Sequence, residues 1–344
     1  MNTINKTLMD KNCDDIIDKS PDERYFKFNK LIGSGAFKKI FLSFDTMNGI
    51  EVAWNEINIS NLLDSSIQKI INEIEILKSC NNCSYIIKFY DYWNNNSNNI
   101  IFITEKASSG NLKEFITKIK NIKNSKTTDE NLKLKIIKKW CKQILYGLDY
   151  LHDNDIIHRD IKCDNIFING NTGNILIGDF GLARKMMDSK AHTVLGTPAF
   201  MAPEIYDEEY GKKVDIYSFG MCLLEMITNE VPYIECQTNP AIWKKVINNI
   251  KPKSLDKIKN KEIKNIIELC ISNDENIRPT IKILLKMKFW DNDCYNKDIL
   301  YDEIVENNEL NEKLDQILST VEKKTQEIIN NAKEQVKEII QGRI

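Results

Sequence analysis

Between residues 24 and 105, short apolar runs alternate with polar turns: "FKFNKLIG", "KIFLSFD" and "EVAWNEI", with Met47-Asn48-Gly49 between the last two. Alternation at period two, bounded by turn residues, predicts strands joined by hairpins. One segment departs from this. From Ile67 to Ser79, the residues Ile70, Ile74 and Leu77 recur at helical spacing, which predicts a single helix with Glu73 also directed towards the strands. After "ITEKASSGN" the period changes to that of long amphipathic helices, as in "IIKKWCKQILYGLDYLH" and "VDIYSFGMCLLEMIT". The lysine- and asparagine-rich run at 117–131 reads as a solvated connection between helices. The fold class expected is α+β: a small strand-rich lobe over 23–105, then a larger, mostly helical lobe over 106–291.

Both ends read differently. Residues 1–22 are polar, with Pro21 near their close, and are expected to form a flexible leader. Over 292–344 a charged segment carries Leu310, Leu314, Leu318, Val321, Thr325, Ile328, Ala332, Val336 and Ile339, a recurrence of about 3.6 residues that predicts a straight helix rather than a heptad coiled coil. Its apolar stripe must be covered. Docking on the chain's own helical lobe is favoured, with a homodimer as the alternative.

Charge narrows the partners. The 344 residues contain 48 lysines and arginines against 50 aspartates and glutamates, so no large net field recruits nucleic acid or an anionic membrane. The first residues lack an apolar core and "FGMCLLEMI" is short and broken by Glu225, which argues against secretion and against a membrane span. Nine scattered cysteines fit a reducing, cytoplasmic setting. Cys80 and Cys83 have the spacing of half a zinc site, but no second pair accompanies them, so an ordinary loop is the better reading.

The chemistry is concentrated in "IIHRDIKCDNIFI" and "ILIGDFGLA". Each sets a polar cluster between apolar flanks, which holds charged groups on one rigid edge. Phosphoryl transfer gives such a cluster a purpose. Asp160 would orient a substrate hydroxyl and accept its proton, Asn165 and Asp179 offer hard oxygen ligands for Mg2+, and Lys162 can neutralise charge on the moving phosphoryl group.

Together with Ala202-Pro203-Glu204, these segments strongly resemble the eukaryotic protein kinases over about 24–290, and Asp160-Ile161-Lys162 resembles their serine/threonine branch. The resemblance implies a two-lobed fold that binds ATP and acts on protein substrates. It also implies structural roles for Asp215 and for Arg278, the latter as buried partner of Glu204. Gly33, Gly35 and Ile40 match the glycine-rich loop, but Lys38 stands at its third glycine and Asn55 stands where a strand lysine should contact phosphate. Side chains alternate along a strand, so Lys38 is expected to point with Ile40 towards the nucleotide while Lys39 points out.

That relocation, with "EVAW", "HRDIKCDNIFI", "GTPAFMAPE" and "FGMCLLEM", resembles the with-no-lysine (WNK) kinases. By this resemblance Glu73 pairs with Lys38, and Ile32, Ala53, Thr104, Glu105, Ala107 and Phe167 also contact ATP. Thr193 is the main activating phosphosite and Ser189 a secondary one, with Arg159 as phosphate partner. Thr197 belongs to the substrate-docking loop, and Ste20-related kinases are the implied substrates. Phe89, Phe102, Phe180 and Leu182 map to an apolar pocket that holds an inhibitory chloride in the family. Phenylalanine replaces the family's leucine at 102 and 180, and its bulk is expected to fill that pocket and weaken chloride inhibition. His158 is expected to brace the catalytic loop, His152 to be an exposed helix end, His192 a loop residue, and Cys163 a packing residue. The alternative from another class is a pseudokinase scaffold without phosphotransfer.

Overall fold

The computed structural model describes residues 16–35, 38–60, 62–95, 98–122, 130–170, 172–185, 196–207 and 210–290. Six strands form one antiparallel sheet: β1 (Ile16–Lys19), β2 (Tyr25–Ser34), β3 (Lys38–Asp45), β4 (Ile50–Asn58), β5 (Phe89–Asn95) and β6 (Asn99–Glu105), in spatial order β1-β2-β3-β4-β6-β5. Within the stretch 1–22 expected to be a flexible leader, Ile16–Lys19 form β1 instead. Ile16 to Lys19 pair with Phe26 to Phe28 and make that stretch the sheet's edge.

The turn between β3 and β4 is fixed by one carboxylate. Asp45 is fully buried, accepts from the backbone N–H groups of Met47 and Asn48, and is gripped by Arg24, with Nη2 to Oδ2 at 2.7 Å. Gly49 follows at φ 67°, a left-handed conformation that glycine adopts without steric cost.

Period-two alternation then separates the two faces of the sheet. Val52 and Trp54 of β4, with Ile101 and Ile103 of β6, join Tyr25 in a small outer core, against which Phe41 and Trp93 pack. Ala53 and Asn55 of β4, with Phe102 and Thr104 of β6, take the opposite face and line a cleft. Helix α1 (Asp64–Ser79) packs on that side, starting three residues before the expected Ile67, with Ile74, Ile76 and Leu77 buried.

The second half is helical: α2 (Leu112–Ile122), α3 (Glu130–Asp153), α4 (Lys213–Thr228), α5 (Asn239–Ile247), α6 (Lys261–Cys270) and α7 (Ile281–Leu285). The run at 117–131, expected to be a connection, is helical to Ile122 and again from Glu130. Helix α4 is the hub, buried continuously from Val214 to Met226, as befits a helix that is apolar nearly all round. Gly220 lets it approach α6 closely, since a Cβ there would lie 2.6 Å from Cβ of Cys270. Between α3 and α4, short strands β7 (Ile156–Ile157), β8 (Ile166–Asn169), β9 (Asn174–Ile177) and β10 (Arg184–Lys185) pair as β7–β10 and β8–β9. The stretches that join β7 to β8 and β9 to β10, which carry Asp160, Asn165 and Asp179, therefore meet at one end of the β8–β9 hairpin, where Gly178 N–H donates to the Asn165 carbonyl at 2.9 Å. Among the described residues no helix is long and apolar enough to cross a membrane.

Candidate active site

A cleft of about 540 Å3 lies between the sheet and the helical half. Its lining includes Ile32, Gly33, Gly35, Lys38, Ile40 and Ala53 from β2 to β4, Glu73 from α1, Thr104, Glu105 and Ala107 at the end of β6, and Asn165, Phe167 and Asp179 from below. Every residue expected at the nucleotide or at Mg2+ thus faces one cavity. Asn55, whose place on the strand the sequence had marked, lines it as well. Leu77, Ile87, Lys106, Asn111 and Glu114 also line it and were not singled out as site residues from the sequence, since none carries a motif that would mark it.

Lys38 projects into this cleft from β3. Its Nζ lies 3.4 Å from Oε1 of Glu73 and 5.5 Å from the ring centre of Phe102. Burial drives the ammonium towards its neutral form, but the charges of Glu73 and Asp179 outweigh this and hold its pKa above the ordinary lysine value. A Cβ built on Gly181 would meet Asp179 Oδ1 at 3.4 Å and Glu73 Oε2 at 3.5 Å, so the two carboxylates converge on one point. Asp179 itself is exposed and has φ 56°, an uncommon left-handed conformation for a residue with a side chain.

Asn55 is engaged elsewhere. Its Nδ2 donates to the Phe102 carbonyl at 3.2 Å and to Thr104 Oγ1 at 3.1 Å, and the residue is 4% exposed. The position from which a strand lysine would reach into the cleft is therefore occupied by an amide that ties β4 to β6.

Below the cleft, Asp160, Lys162 and Thr197 form a closed triangle. Lys162 Nζ donates to Asp160 Oδ2 at 2.7 Å and to Thr197 Oγ1 at 2.7 Å, and the Thr197 hydroxyl donates to Asp160 Oδ1 at 2.7 Å. Asn165 Nδ2 adds a bond to Asp160 Oδ2 at 2.8 Å. Burial raises the Asp160 pKa, yet Lys162 and Thr197 prevail and hold the carboxyl below its ordinary value, so it is an ionised acceptor at neutral pH.

The loop's shape is held from α4. Asp215 is fully buried, accepts from the backbone N–H of His158 at 3.0 Å and of Arg159 at 2.9 Å, and so fixes Arg159 at φ 69°. His158 Nε2 lies 3.0 Å from the Gly178 carbonyl and its ring packs edge-on to Phe180 at 5.0 Å, bracing the two motif loops against each other. His152 corrects the sequence reading. It is 9% exposed and its Nε2 lies 2.9 Å from Asp215 Oδ2, because the end of α3 abuts α4. Burial alone would raise the Asp215 pKa, but His152, His158 and the backbone donor outweigh it and the group stays ionised.

Phe89, Phe102 and Phe180 belong to one buried cluster, while Leu182 is half-buried and its carbonyl accepts from Arg159 Nε at 2.5 Å. Glu204 and Arg278 form a bidentate pair, with Nη2 to Oε2 at 2.7 Å. Cys80 and Cys83 are free, buried thiols; burial pushes Cys80 up to about 11. No group of three potential His, Cys, Asp or Glu metal ligands occurs among the described residues. Cys163 is buried against Cys222. Ser189, His192, Thr193 and the apolar stripe from Leu310 to Ile339 lie outside the described residues.

The family model of the protein kinase domain matches residues 26–290. The serine/threonine-protein kinase Wnk of Drosophila melanogaster is 42% identical over 296 residues, 85% of this chain and 12% of that protein. WNK8 of Arabidopsis thaliana, a serine/threonine-protein kinase, is 43% identical over 279 residues, 80% of this chain and 48% of its own length. WNK3 of Mus musculus, also a serine/threonine-protein kinase, is 44% identical over 279 residues, 80% of this chain and 15% of that protein. The chain thus spans less than half the length of each of these three relatives.

Proposed function

The chain belongs to the protein kinase family, in its WNK branch, and on that footing we propose that it is an ATP-dependent serine/threonine kinase whose missing strand lysine is supplied by Lys38. The observation that carries this reading is the 3.4 Å approach of Lys38 Nζ to Glu73 inside the cleft, with Asn55 bonded away from it. A charged amine in that place can meet nucleotide phosphates as a strand lysine would. Ile32, Ile40, Ala53 and Phe167 offer the apolar clamp for a base, Thr104, Glu105 and Ala107 its polar edge, and Gly33 and Gly35 a close backbone approach to phosphate.

The oxygen donors fit magnesium. Asn165 gives its amide nitrogen to Asp160, which leaves its amide oxygen as the ligating atom beside the Asp179 carboxylate. When bound there, Mg2+ supplies charge neutralisation at the phosphates. Asp160 is ionised and fixed on both oxygens, suited to orient a substrate hydroxyl and take its proton. Lys162 stands beside it to balance charge on the transferred group, and Thr197 links this base to the substrate-docking loop.

Thr193 and Ser189 are the proposed phosphosites, and a phosphate there would add about −1.5 to −2 charge for Arg159 to share with Leu182 and Tyr210. The names of the relatives support Ser/Thr specificity, and the family resemblance supports Ste20-related kinases as substrates in a cytoplasmic cascade. The lobes are assigned to 23–105 and 106–291. The segment 292–344, outside the described residues, is proposed as a C-terminal extension of the kinase domain.

The test is magnesium-dependent phosphate transfer from ATP to a generic Ser/Thr protein. Transfer above a no-magnesium control is the expected result. None from protein phosphorylated at Thr193 would mean a scaffold that has lost its chemistry.

A further inference from the structure

We propose that Lys113 fills, from within the protein, an acidic subsite beside the catalytic loop, and so makes the enzyme indifferent to a basic residue flanking the phosphoacceptor; the inference rests on the kinase reading above. Lys113 lies in the first turn of α2. Its Nζ is 2.9 Å from Oε1 of Glu225 on α4 and 3.6 Å from Oδ2 of Asp164, the catalytic-loop residue just before Asn165.

The two carboxylates differ in what they lack. The Asp164 side chain is 45% exposed and lines the cleft, so it is within reach of a protein substrate. The Glu225 side chain is 4% exposed, and its Oε2 is buried with no hydrogen-bond partner. A buried carboxylate oxygen without a donor is rare and marks a place where another N–H group fits. The helix that carries Glu225 packs against the turn Cys163–Asn165, in the loop that holds Asp160.

Two carboxylates share one ammonium here, so the cluster keeps a net charge of about −1. A guanidinium could bridge Glu225 and Asp164 with paired N–H bonds, which the point charge of lysine does not provide. While Lys113 is in place, an arriving arginine must displace a cation that Glu225 and Asp164 already hold: burial lowers the Lys113 pKa, yet these two acids raise it above the ordinary lysine value. The internal lysine thus does for every substrate what an arginine would otherwise do for a few.

The test compares kcat and KM for peptides that carry arginine or alanine at successive positions on either side of the phosphoacceptor. The proteins are wild type, Lys113→Ala and the double variant Lys113→Ala/Glu225→Gln. We expect wild type to treat the peptides alike within about twofold, and Lys113→Ala to gain about tenfold for arginine at one position, the size of one charge-assisted hydrogen bond. The gain should appear in KM, and the double variant should return to parity. A Lys113→Ala protein with no gain, or a wild type that already prefers arginine tenfold, overturns the proposal. If Lys113→Ala lacks a native circular dichroism spectrum, Lys113→Met keeps the aliphatic stem and is read in the same way. A wild type that phosphorylates neither kind of peptide fails the kinase reading itself, and this inference falls with it.

Discussion

Lys38 on β3 and Glu73 on α1 face each other with 3.4 Å between Nζ and Oε1, and the charge of Glu73 is a main reason why the buried ammonium keeps its proton. The folded pKa of Lys38 lies above its ordinary value, so the pair's contribution is present at neutral pH and is lost as pH rises through that raised pKa. In Glu73→Gln, burial opposes Asp179 alone. The alkaline limb of the kcat/KM profile for phosphate transfer should then move to lower pH. A limb that stays in place would separate Glu73 from Lys38.

Arg278 and Glu204 are a second buried pair, with the arginine side chain fully enclosed. Glu204→Gln leaves that guanidinium without its counter-charge, though the Ser272 carbonyl still accepts from Nε at 2.7 Å. The expected cost is about 3 kcal/mol or more. Urea unfolding should show it as a lower midpoint at unchanged slope; a midpoint equal to wild type would contradict the assignment.

Activation is expected to depend on Thr193. Treatment of wild type with phosphatase should lower its activity, and re-phosphorylation should restore it, because a phosphate gives Arg159 a dianionic partner. Thr193→Ala should remain at the dephosphorylated level under both conditions. Full activity of Thr193→Ala after phosphatase treatment would remove the residue from the mechanism.

Chloride is expected to inhibit weakly or not at all. Phe102 and Phe180 are each 1% exposed and belong to the same core as Phe89, and a phenylalanine ring brings more bulk than the family's leucine to the place an anion would need. Autophosphorylation should be unchanged when chloride replaces gluconate at constant ionic strength. A clear loss as chloride rises would show that an anion still finds room.

Local pattern carried a good part of this architecture. Alternation in "EVAWNEI" assigns Trp54 to the outer face of the sheet and Asn55 to the cleft, and the same period puts Lys38 on the side of Ile40. The turn after Asp45 was visible through Asn48-Gly49. What local pattern leaves out are partnerships across long sequence separations. His152 looks like a helix end until α4 brings Asp215 to within 2.9 Å. The same holds for Lys113 and Glu225, two charged residues on different helices whose 2.9 Å approach exists only after the helices pack. Ile16 to Lys19 failed as a leader because a short polar-flanked strand gains its identity from the edge it pairs with.

If Lys38 does the work of the absent strand lysine, phosphate transfer by Lys38→Met and Asn55→Ala must separate the two positions. Lys38→Met should lose about 100-fold or more in kcat, the scale of removing one preorganised charge from a transition state. Asn55→Ala, which loses only the amide's bonds to Phe102 and Thr104, should stay within about tenfold of wild type. Near-wild-type transfer by Lys38→Met, or equal losses in both variants, would mean that Lys38 does not replace that lysine.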